Sequence, residues 1–318
     1  MKENFWLQLK DKKRPIMALA PMAGFTDAPF RQICSSFGAD VVYSEMASAA
    51  ALYFRGPGTT ETMKLLSWDP TKESRFVVQL FGSEASHFAV AAKIISENIR
   101  PHGVDINFGC PAGKVLKQGA GADLMKNLVK SKEIVEAVCA NTDLPVSVKL
   151  RLQSGEVSAA RFLDNLSDLP VSAAMVHGRT LSQGFAGEAD YVSVGKLREV
   201  FPGILIVNGG INTRAEAERA LRESRADGLG LGRGALGRPW LFQEIKEGRD
   251  LDLGKKEILQ LLFRHAQLCV KLKGEEALIE WRKQACWYVQ SLPGASRLRQ
   301  SLVQVSSLEQ VENLIKNI

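Results

Sequence analysis

The chain has 318 residues, which exceeds one ordinary domain but suits a single α/β barrel of about 250 residues with a small appendage. It carries a formal net charge of +6 and five scattered cysteines without a C-x-x-C pair, which argues against a disulfide framework and favours a reducing compartment. No apolar run approaches the ~20 residues that span a bilayer and the charged N-terminal segment lacks a signal-peptide core, so we expect a soluble, cytoplasmic protein without a membrane partner.

Eight short apolar runs recur along the chain, each bounded by turn residues. They cover residues 16–20, 41–44, 76–80, 104–107, 146–150, 173–177, 204–208 and 228–231. Helical spacing separates them, as at Phe88, Ala92, Ile95 and Ile99, and residues 213–216 have the pattern of a capping box. Eight alternating units predict an α/β fold, a (β/α)8 TIM barrel. The pattern between residues 44 and 75 is weak, so no helix bounds are predicted there.

The residues that end or follow these runs are mostly polar or glycine. In chain order they are Pro21, Met22, Glu45, Gln79, Asn107, Cys110, Lys149, Arg151, His177, Arg179, Asn208, Gly209, Gly210, Gly232, Arg233 and Gly234. Each one alone has an ordinary structural explanation. In this fold, however, the active site is built at the carboxyl ends of the strands. A purely structural barrel has no reason to direct so many polar groups at one rim, because each needs a partner or water.

Cys110 lies in a loop shaped by glycine and proline at the end of the fourth run. A free cysteine is often only a small buried hydrophobe, and we favour that interpretation for the other four cysteines. Gly109 permits unusual backbone geometry and Pro111 stops a following helix, so they predict an exposed turn. Cys110 is therefore a candidate functional thiol.

Glycine-rich segments follow the seventh and eighth runs, at residues 208–210 and 232–234. Barrels commonly hold a phosphate at this place with backbone N–H groups and a helix N-terminus. Arg233 adds a guanidinium fork that can pair with an anion. A phosphorylated cofactor or substrate is implied, although glycine also serves ordinary turns.

Six motifs occur in order over nearly the whole chain. They are A-P-M-A-G-F-T-D at 20–27, D-I-N-F-G-C-P at 105–111, V-K-L-R at 148–151, V-H-G-R-T at 176–180, N-G-G at 208–210 and G-R-G-A at 232–235. Together they resemble the tRNA-dihydrouridine synthases, flavoenzymes that reduce uridine in tRNA. The N-x-G-C-P element with G-A-G-A at 119–122 is the most specific part. Gly210 is a departure, because many members carry an acidic residue there and that carboxylate is absent here.

The resemblance implies an FMN cofactor, with NADPH or NADH as a transiently bound reductant. It implies that Pro21, Met22 and Ala23 line the flavin, that Gln79 and Lys149 reach its pyrimidine edge, and that His177, Asn208, Gly209, Gly210, Gly232 and Arg233 hold the ring or the phosphate. A lysine cation at the pyrimidine edge stabilises an anionic reduced flavin, which agrees with this placement. No metal is expected.

The resemblance also implies the chemistry. Hydride goes from reduced FMN to C6 of the uracil, and Cys110 gives a proton to C5. An unperturbed thiol titrates near ~8.5 and can act as an acid at neutral pH. Asn107 and Arg151 are expected to hydrogen-bond the base, and Phe185 to pack against it. The uracil has to be flipped out of the RNA stack to lie on the flavin.

Beyond residue 250 the chain becomes a strand-free helical region, which we predict as a small helical tRNA-binding domain at 251–318 after a barrel at 1–250. Residues 255–318 contain 10 Lys/Arg and 6 Asp/Glu, a local net charge of +4. Arg282, Lys283, Arg297 and Arg299 are candidate phosphate contacts. Charge alone would favour a solvated basic face, but the resemblance extends through this region. We expect a monomer.

Other classes of function share some of these features. An FMN-dependent dehydrogenase of a small pyrimidine, of the dihydroorotate or dihydropyrimidine type, also uses a loop cysteine but has no need of a basic appendage. A non-catalytic RNA-binding barrel would be expected to have lost Cys110 or Lys149, and both are present. A phosphate-binding isomerase or aldolase barrel would need an acid–base pair that the N-x-G-C-P loop does not provide.

Overall fold

Eight parallel strands close into a barrel in the computed structural model, which describes residues 4–58 and 61–317. The strands are β1 (Ile16–Leu19), β2 (Val41–Ser48), β3 (Arg75–Phe81), β4 (Gly103–Phe108), β5 (Val146–Arg151), a hairpin of β6 (Gln153–Ser154) and β7 (Val157–Ser158), β8 (Val171–His177), β9 (Ile204–Asn208) and β10 (Gly228–Leu231). The barrel runs in chain order without the hairpin, and β10 pairs back to β1. Each of the eight predicted strands is confirmed.

Helices cover the outside of the barrel and continue beyond its last strand. They are α1 (Phe5–Lys10), α2 (Ala28–Ser36), α3 (Ala49–Arg55), α4 (Glu61–Leu65), α5 (Ala85–Ile94), α6 (Gly113–Leu116), α7 (Leu128–Ala140), α8 (Ala159–Asp164), α9 (Tyr191–Lys196), α10 (Arg214–Ser224), α11 (Leu241–Glu247), α12 (Lys255–Lys273), α13 (Ala277–Tyr288), α14 (Ala295–Leu302) and α15 (Leu308–Lys316). The predicted capping box of α10 is confirmed, since Thr213 and Glu216 exchange side-chain and backbone hydrogen bonds.

Two features of the barrel go beyond the sequence pattern. Strand β2 extends to Ser48, with a shift of register against β3 between Tyr43 and Met46. Helix α1 packs its Phe5, Trp6 and Leu9 onto apolar residues of the barrel strands, in a cluster that includes Ile16 and Ile204. Because Ile16 and Ile204 begin their strands, α1 closes the amino end and leaves the carboxyl end for a site.

The four C-terminal helices share one apolar cluster with two residues of the barrel part. Leu262, Trp281 and other buried side chains of this region pack with Ile33 of α2 and with Trp240, which precedes α11. The buried Tyr288 hydroxyl lies 3.1 Å from Nδ1 of His265. The C-terminal region is therefore helical, as predicted; its treatment as a separate domain at 251–318 stays a proposal. Within the described residues, no helix has both the length and the apolar character to cross a membrane.

Candidate active site

A cavity of about 340 Å³ opens at the carboxyl ends of the barrel strands. Its wall contains most residues that the sequence singled out: Pro21, Met22, Ala23, Asn107, Cys110, Lys149, Arg151, His177, Phe185, Asn208, Gly209, Gly210, Gly232 and Arg233. The cavity size falls in the range of ~300–1,000 Å³ that is usual for small-molecule and cofactor sites. Residues from separate loops thus converge on one space, while Gln79 does not line it.

Cys110 is half-buried at the cavity wall, and backbone hydrogen bonds hold its loop on both sides. The N–H groups of Gly109 and Cys110 donate to Oδ1 of Asn107 at 3.1 Å and 2.9 Å. The carbonyl of Gly109 accepts from Nε of Arg151 at 2.9 Å, and the carbonyl of Cys110 accepts from the N–H of Ala122 at 3.1 Å. The thiol is therefore presented by a fixed loop.

The G-A-G-A segment supports this loop from outside. Gly121 has a φ of +62°, and a Cβ there would lie 2.8 Å from the carbonyl oxygen of Cys110. Only glycine allows both the left-handed backbone and this close approach. Gly109 has a different reason, because a Cβ at that position would press on the backbone of β5 at Leu150, at 3.3 Å.

Both polar atoms of the Asn107 amide already have partners within the protein. Its Nδ2 donates to Oε1 of Gln79 at 2.8 Å and lies 3.0 Å from Sδ of Met46, while its Oδ1 accepts the two N–H groups of the Cys110 loop. A hydrogen bond from Asn107 to a bound base needs one of these contacts to open, so that role stays a prediction. Gln79 is fully buried and donates to Asp105 at 2.7 Å, so its contact with a cofactor also stays a prediction.

Lys149 brings a cation into the cavity from β5. Burial, and next the charge of Arg151, lower its pKa to about 8, while the charge of Asp105 acts in the opposite direction. Its ammonium has no hydrogen-bond partner among the residues that the structure describes. It is therefore available to an anionic group of a ligand.

Arg151 is almost completely buried and binds three loop carbonyls. Its Nε donates to Gly109, and its Nη1 donates to Thr180 at 3.0 Å and Gly184 at 2.8 Å. Burial lowers its pKa from the usual value. Nη2 has no partner within the described ranges, so it is the donor left for a ligand.

His177 is held as a neutral imidazole at the end of β8. Burial, followed by the charges of Lys149, Arg151, Arg179 and Arg233, lowers its pKa to about 2. Gly209 packs directly on this ring: its φ is +102°, and a Cβ there would lie 2.3 Å from Cδ2 of His177. The glycine thus sets where the histidine lies in the cavity.

Phe185 is more than half exposed at the cavity mouth and lies between two guanidinium groups. The Cζ atoms of Arg233 and Arg151 lie 4.5 Å and 5.6 Å from its ring centroid, and the ring of His177 is 6.1 Å away. Such contacts between cations and aromatic faces contribute roughly 0.5–1 kcal/mol at exposed sites. The aromatic ring is therefore placed to cover a ligand from the solvent side.

The four basic residues proposed for RNA lie outside the cavity wall. Arg282 donates to the carbonyl oxygens of Val305 at 2.8 Å and Gln304 at 3.4 Å, so part of its guanidinium holds the C-terminal helices together. Lys283 lies closer to the site, with Nζ 5.3 Å from the ring centroid of Phe25, which lines the cavity. Arg297 and Arg299 lie on α14, exposed and half-buried respectively. Their contact with RNA stays a prediction.

Trp287 of α13 is a cavity residue that none of the sequence motifs included. Gly237 fixes it from the barrel side, because a Cβ on that glycine would lie 2.2 Å from the carbonyl carbon of Trp287. Phe25 and Met46 also line the cavity without having been singled out for it. An aromatic residue one helical turn after the basic Lys283 was the available signal for Trp287.

The other four cysteines do not line this cavity, and two of them, Cys34 and Cys269, are buried.

Comparisons with known proteins agree on one family. The family model described as dihydrouridine synthase matches residues 18–318. A probable tRNA-dihydrouridine synthase of Aquifex aeolicus is 32% identical over 314 residues, covering 96% of this chain and 96% of that protein. The tRNA-dihydrouridine synthase B of Pseudomonas syringae pv. tomato is 34% identical over 294 residues, covering 89% of this chain and 85% of that protein.

A solved structure shares the fold. The old yellow enzyme homologue from Zymomonas mobilis has a TM-score of 0.52 and 15% identity, and the match covers 74% of this chain and 89% of that chain. At this identity the likeness concerns the architecture alone, and it places the barrel among known structures of the same shape.

Proposed function

We propose that this chain, which belongs to the dihydrouridine synthase family and reduces uridine in tRNA to dihydrouridine, does so with FMN in the barrel cavity. The single observation that carries the site assignment is the position of the Cys110 thiol. It lies at a cavity lined by Lys149, Arg151 and Arg233 and, among the lining residues described, by no carboxylate. Such a lining suits an anionic, phosphorylated ligand with a proton donor beside it.

The residues of the cavity fit FMN. A volume near 340 Å³ lies at the small end of cofactor sites and favours a mononucleotide over FAD. Pro21, Met22 and Ala23 offer a mostly apolar wall for a flat ring. Gly209 and Gly210 have φ values of +102° and +69°, and a Cβ on Gly232 would meet only Sδ of Met22, at 3.6 Å. These glycines leave the backbone accessible to a phosphate, and Arg233 can pair with it.

The remaining cofactor contacts follow from the charges. The Lys149 cation would lie at the pyrimidine edge of the flavin, where an anionic reduced ring is stabilised. Neutral His177 and Asn208 would contact the ring or the ribityl phosphate. When bound, FMN supplies the hydride for C6 of the uracil, and NADPH or NADH restores it. Gln79 lies beneath the cavity wall, in contact with Asn107, and is proposed to support the pyrimidine edge of the flavin.

Cys110 is the proposed catalytic residue. Its Sγ–H gives the proton to C5 of the uracil, which quenches the negative charge that builds on C5 and O4 when C6 is attacked. Arg151 keeps the cysteine loop in place and has Nη2 free to hydrogen-bond the base. Phe185 covers the base from the solvent side and excludes water. The base reaches this position only after it is flipped out of the RNA.

Purified protein tests the proposal directly. We expect it to be yellow, to release FMN and not FAD on denaturation, and to be reduced by NADPH or NADH under anaerobic conditions. Reduced protein should then be reoxidised by tRNA that lacks dihydrouridine. One dihydrouridine should form for each flavin that is oxidised. Free uridine and free orotate are the controls for a small-pyrimidine enzyme. A colourless protein that takes up no added FMN would contradict the cofactor and the mechanism together.

A further inference from the structure

Asp105 is a buried carboxylate that the reaction described above does not use. It lies on β4, is fully buried and is absent from the cavity wall. Its Oδ1 accepts from Oγ of Ser147 at 2.6 Å, and its Oδ2 accepts from Nε2 of Gln79 at 2.7 Å. Lys149 on β5 and the buried Tyr43 on β2 are the other ionisable groups that interact with it.

Asp105 begins a chain of hydrogen bonds that ends at the catalytic loop. Gln79 turns Nε2 toward Asp105 and Oε1 toward Asn107, whose Nδ2 donates to it at 2.8 Å. Asn107 then turns Oδ1 toward the N–H groups of Gly109 and Cys110. The chain therefore connects Asp105 to Cys110 through two side-chain amides.

The hydrogen bonds of this series can have only one donor-to-acceptor order. An ionised carboxylate only accepts hydrogen bonds, and a backbone N–H only donates them. Asp105 therefore requires the NH₂ end of Gln79, which leaves the oxygen of Gln79 for Asn107. That oxygen requires the NH₂ end of Asn107, which leaves the Asn107 oxygen for the cysteine loop. A reversed amide at either position would set like groups against each other at buried sites, where unmet polar groups are unfavourable.

The other side of the loop is held independently. The carbonyls of Gly109 and Cys110 are bound by Arg151 and by the N–H of Ala122, neither of which contacts Asp105. The two N–H groups, in contrast, have Asn107 as their partner. Asp105 and Gln79 therefore act on the Cys110 loop through the orientation of the Asn107 amide.

We propose that Asp105 is a positioning residue, which through Gln79 and Asn107 fixes the loop that aims the Cys110 thiol at the reacting base. The inference rests on the proposed function, because it gives the orientation of the thiol a use. Asp105 contributes as an obligatory acceptor at the start of the chain. It makes no contact with substrate or cofactor.

The matched pair Asp105→Asn and Asp105→Leu isolates this contribution. Both variants remove the charge beside Lys149, and the two introduced side chains are close in size. Only asparagine keeps an acceptor for Gln79. The Ser147 hydroxyl can rotate to accept a hydrogen bond from the NH₂ group of the asparagine. Single-turnover oxidation of the reduced, FMN-loaded enzyme by tRNA is the measurement. We expect Asp105→Leu to be ~10- to 100-fold slower than Asp105→Asn, since small displacements of reacting groups cost up to ~10²-fold. Equal rates in the two variants would overturn the proposal.

A second variant gives a readout that a merely structural role would not change. Gln79→Glu sets a carboxylate against Asp105, whose pKa burial raises to about 6. The hydrogen bonds are restored only when this pair of carboxyl groups holds one proton, on either partner, that bridges them. We expect tRNA-driven flavin oxidation in Gln79→Glu to recover as the pH is lowered, relative to the wild-type profile. Gln79→Met, which is similar in size but has neither a donor for Asp105 nor a titratable group, should show no recovery.

The controls separate this inference from the proposed function. Flavin content and reduction by NADPH are measured on the same samples, so that loss of cofactor is not mistaken for misplacement of the thiol. A wild-type enzyme that tRNA fails to reoxidise contradicts the proposed function. A wild-type enzyme that works, beside a Gln79→Glu profile parallel to it, contradicts the role of the chain alone.

Discussion

The proton-donor role proposed for Cys110 can be tested at the residue scale. We predict that Cys110→Ala keeps its FMN and its reduction by NADPH or NADH, because the alanine leaves the cationic lining intact. Reduction of tRNA should fall by ~10²- to 10⁴-fold, the usual contribution of general acid catalysis. Rapid-mixing oxidation of the reduced flavin by tRNA measures this. Cys286→Ala, which changes a half-buried cysteine outside the cavity, is the control. Unchanged oxidation in Cys110→Ala would assign the proton to another donor.

The proposed contact of Lys149 with the cofactor predicts that cofactor binding depends on pH. Its pKa in the free protein is lowered to about 8, so the cavity loses this cation as the pH rises through that value. An anionic ligand favours the charged form, and its affinity is therefore full below pH 8 and falls above it. We predict this decline for FMN, measured by quenching of flavin fluorescence on either side of pH 8. Lys149→Arg, which stays charged, should bind FMN with little change across that window. A wild-type affinity that is flat across this range would contradict the role of Lys149.

The loop after β9 shows how an element determines the site. We predict that Gly209→Ala lowers FMN affinity by at least about 10-fold, an effect of ~1.4 kcal/mol, because the new Cβ displaces the ring of His177. Gly248→Ala is the matched control, since Gly248 also has a positive φ, of +67°, but no atom within 4 Å of its Cβ position. It should lose ~1 kcal/mol of stability from backbone strain and keep its FMN affinity. Thermal unfolding and FMN titration of both variants distinguish strain from displacement.

The same scale shows what the sequence could predict. Parallel strands buried on both faces give continuous apolar runs, so the eight strands and their polar carboxyl ends were visible in the pattern. Helix α1, which closes the amino end of the barrel, and the extension of β2 were not visible in the pattern, because their packing partners come from distant parts of the chain. For the same reason the internal engagement of Asn107 and Gln79 was missed: the residue types suggested ligand contacts, while their partners lie on neighbouring strands and in the loop.

The packing of the C-terminal helices decides how RNA binding can be tested on the whole molecule. Their apolar cluster includes Ile33 and Trp240, and Trp287 completes the cavity wall. Removing residues 251–318 would expose Ile33 and Trp240 and would take Trp287 out of the cavity wall, so a deletion would change the barrel as well as the RNA surface. Surface substitutions are the cleaner probe.

We predict that the double variant Arg297→Gln and Arg299→Gln binds tRNA more weakly, with the salt dependence reduced by up to ~0.9 in the log–log slope for each lost phosphate contact. Filter binding over a series of salt concentrations measures the slope, and reduction of FMN by NADPH should not change. Arg282→Gln is the structural comparison, since it loses hydrogen bonds to Val305 and Gln304 and should lower the thermal midpoint. An unchanged slope in the double variant would return α14 to a solvated basic face.

The contact between Gly237 and the backbone of Trp287 has a consequence for the RNA. It joins α13 to the barrel without room for a side chain between them, so we expect this wall of the cavity to move little when RNA binds. On the proposed function, the tRNA would then have to bend and unstack to bring a uracil into the cavity. Compliance of the substrate should therefore limit the turnover. Transcripts whose tertiary contacts are loosened by withholding magnesium are expected to react faster once bound than the same transcripts folded rigidly.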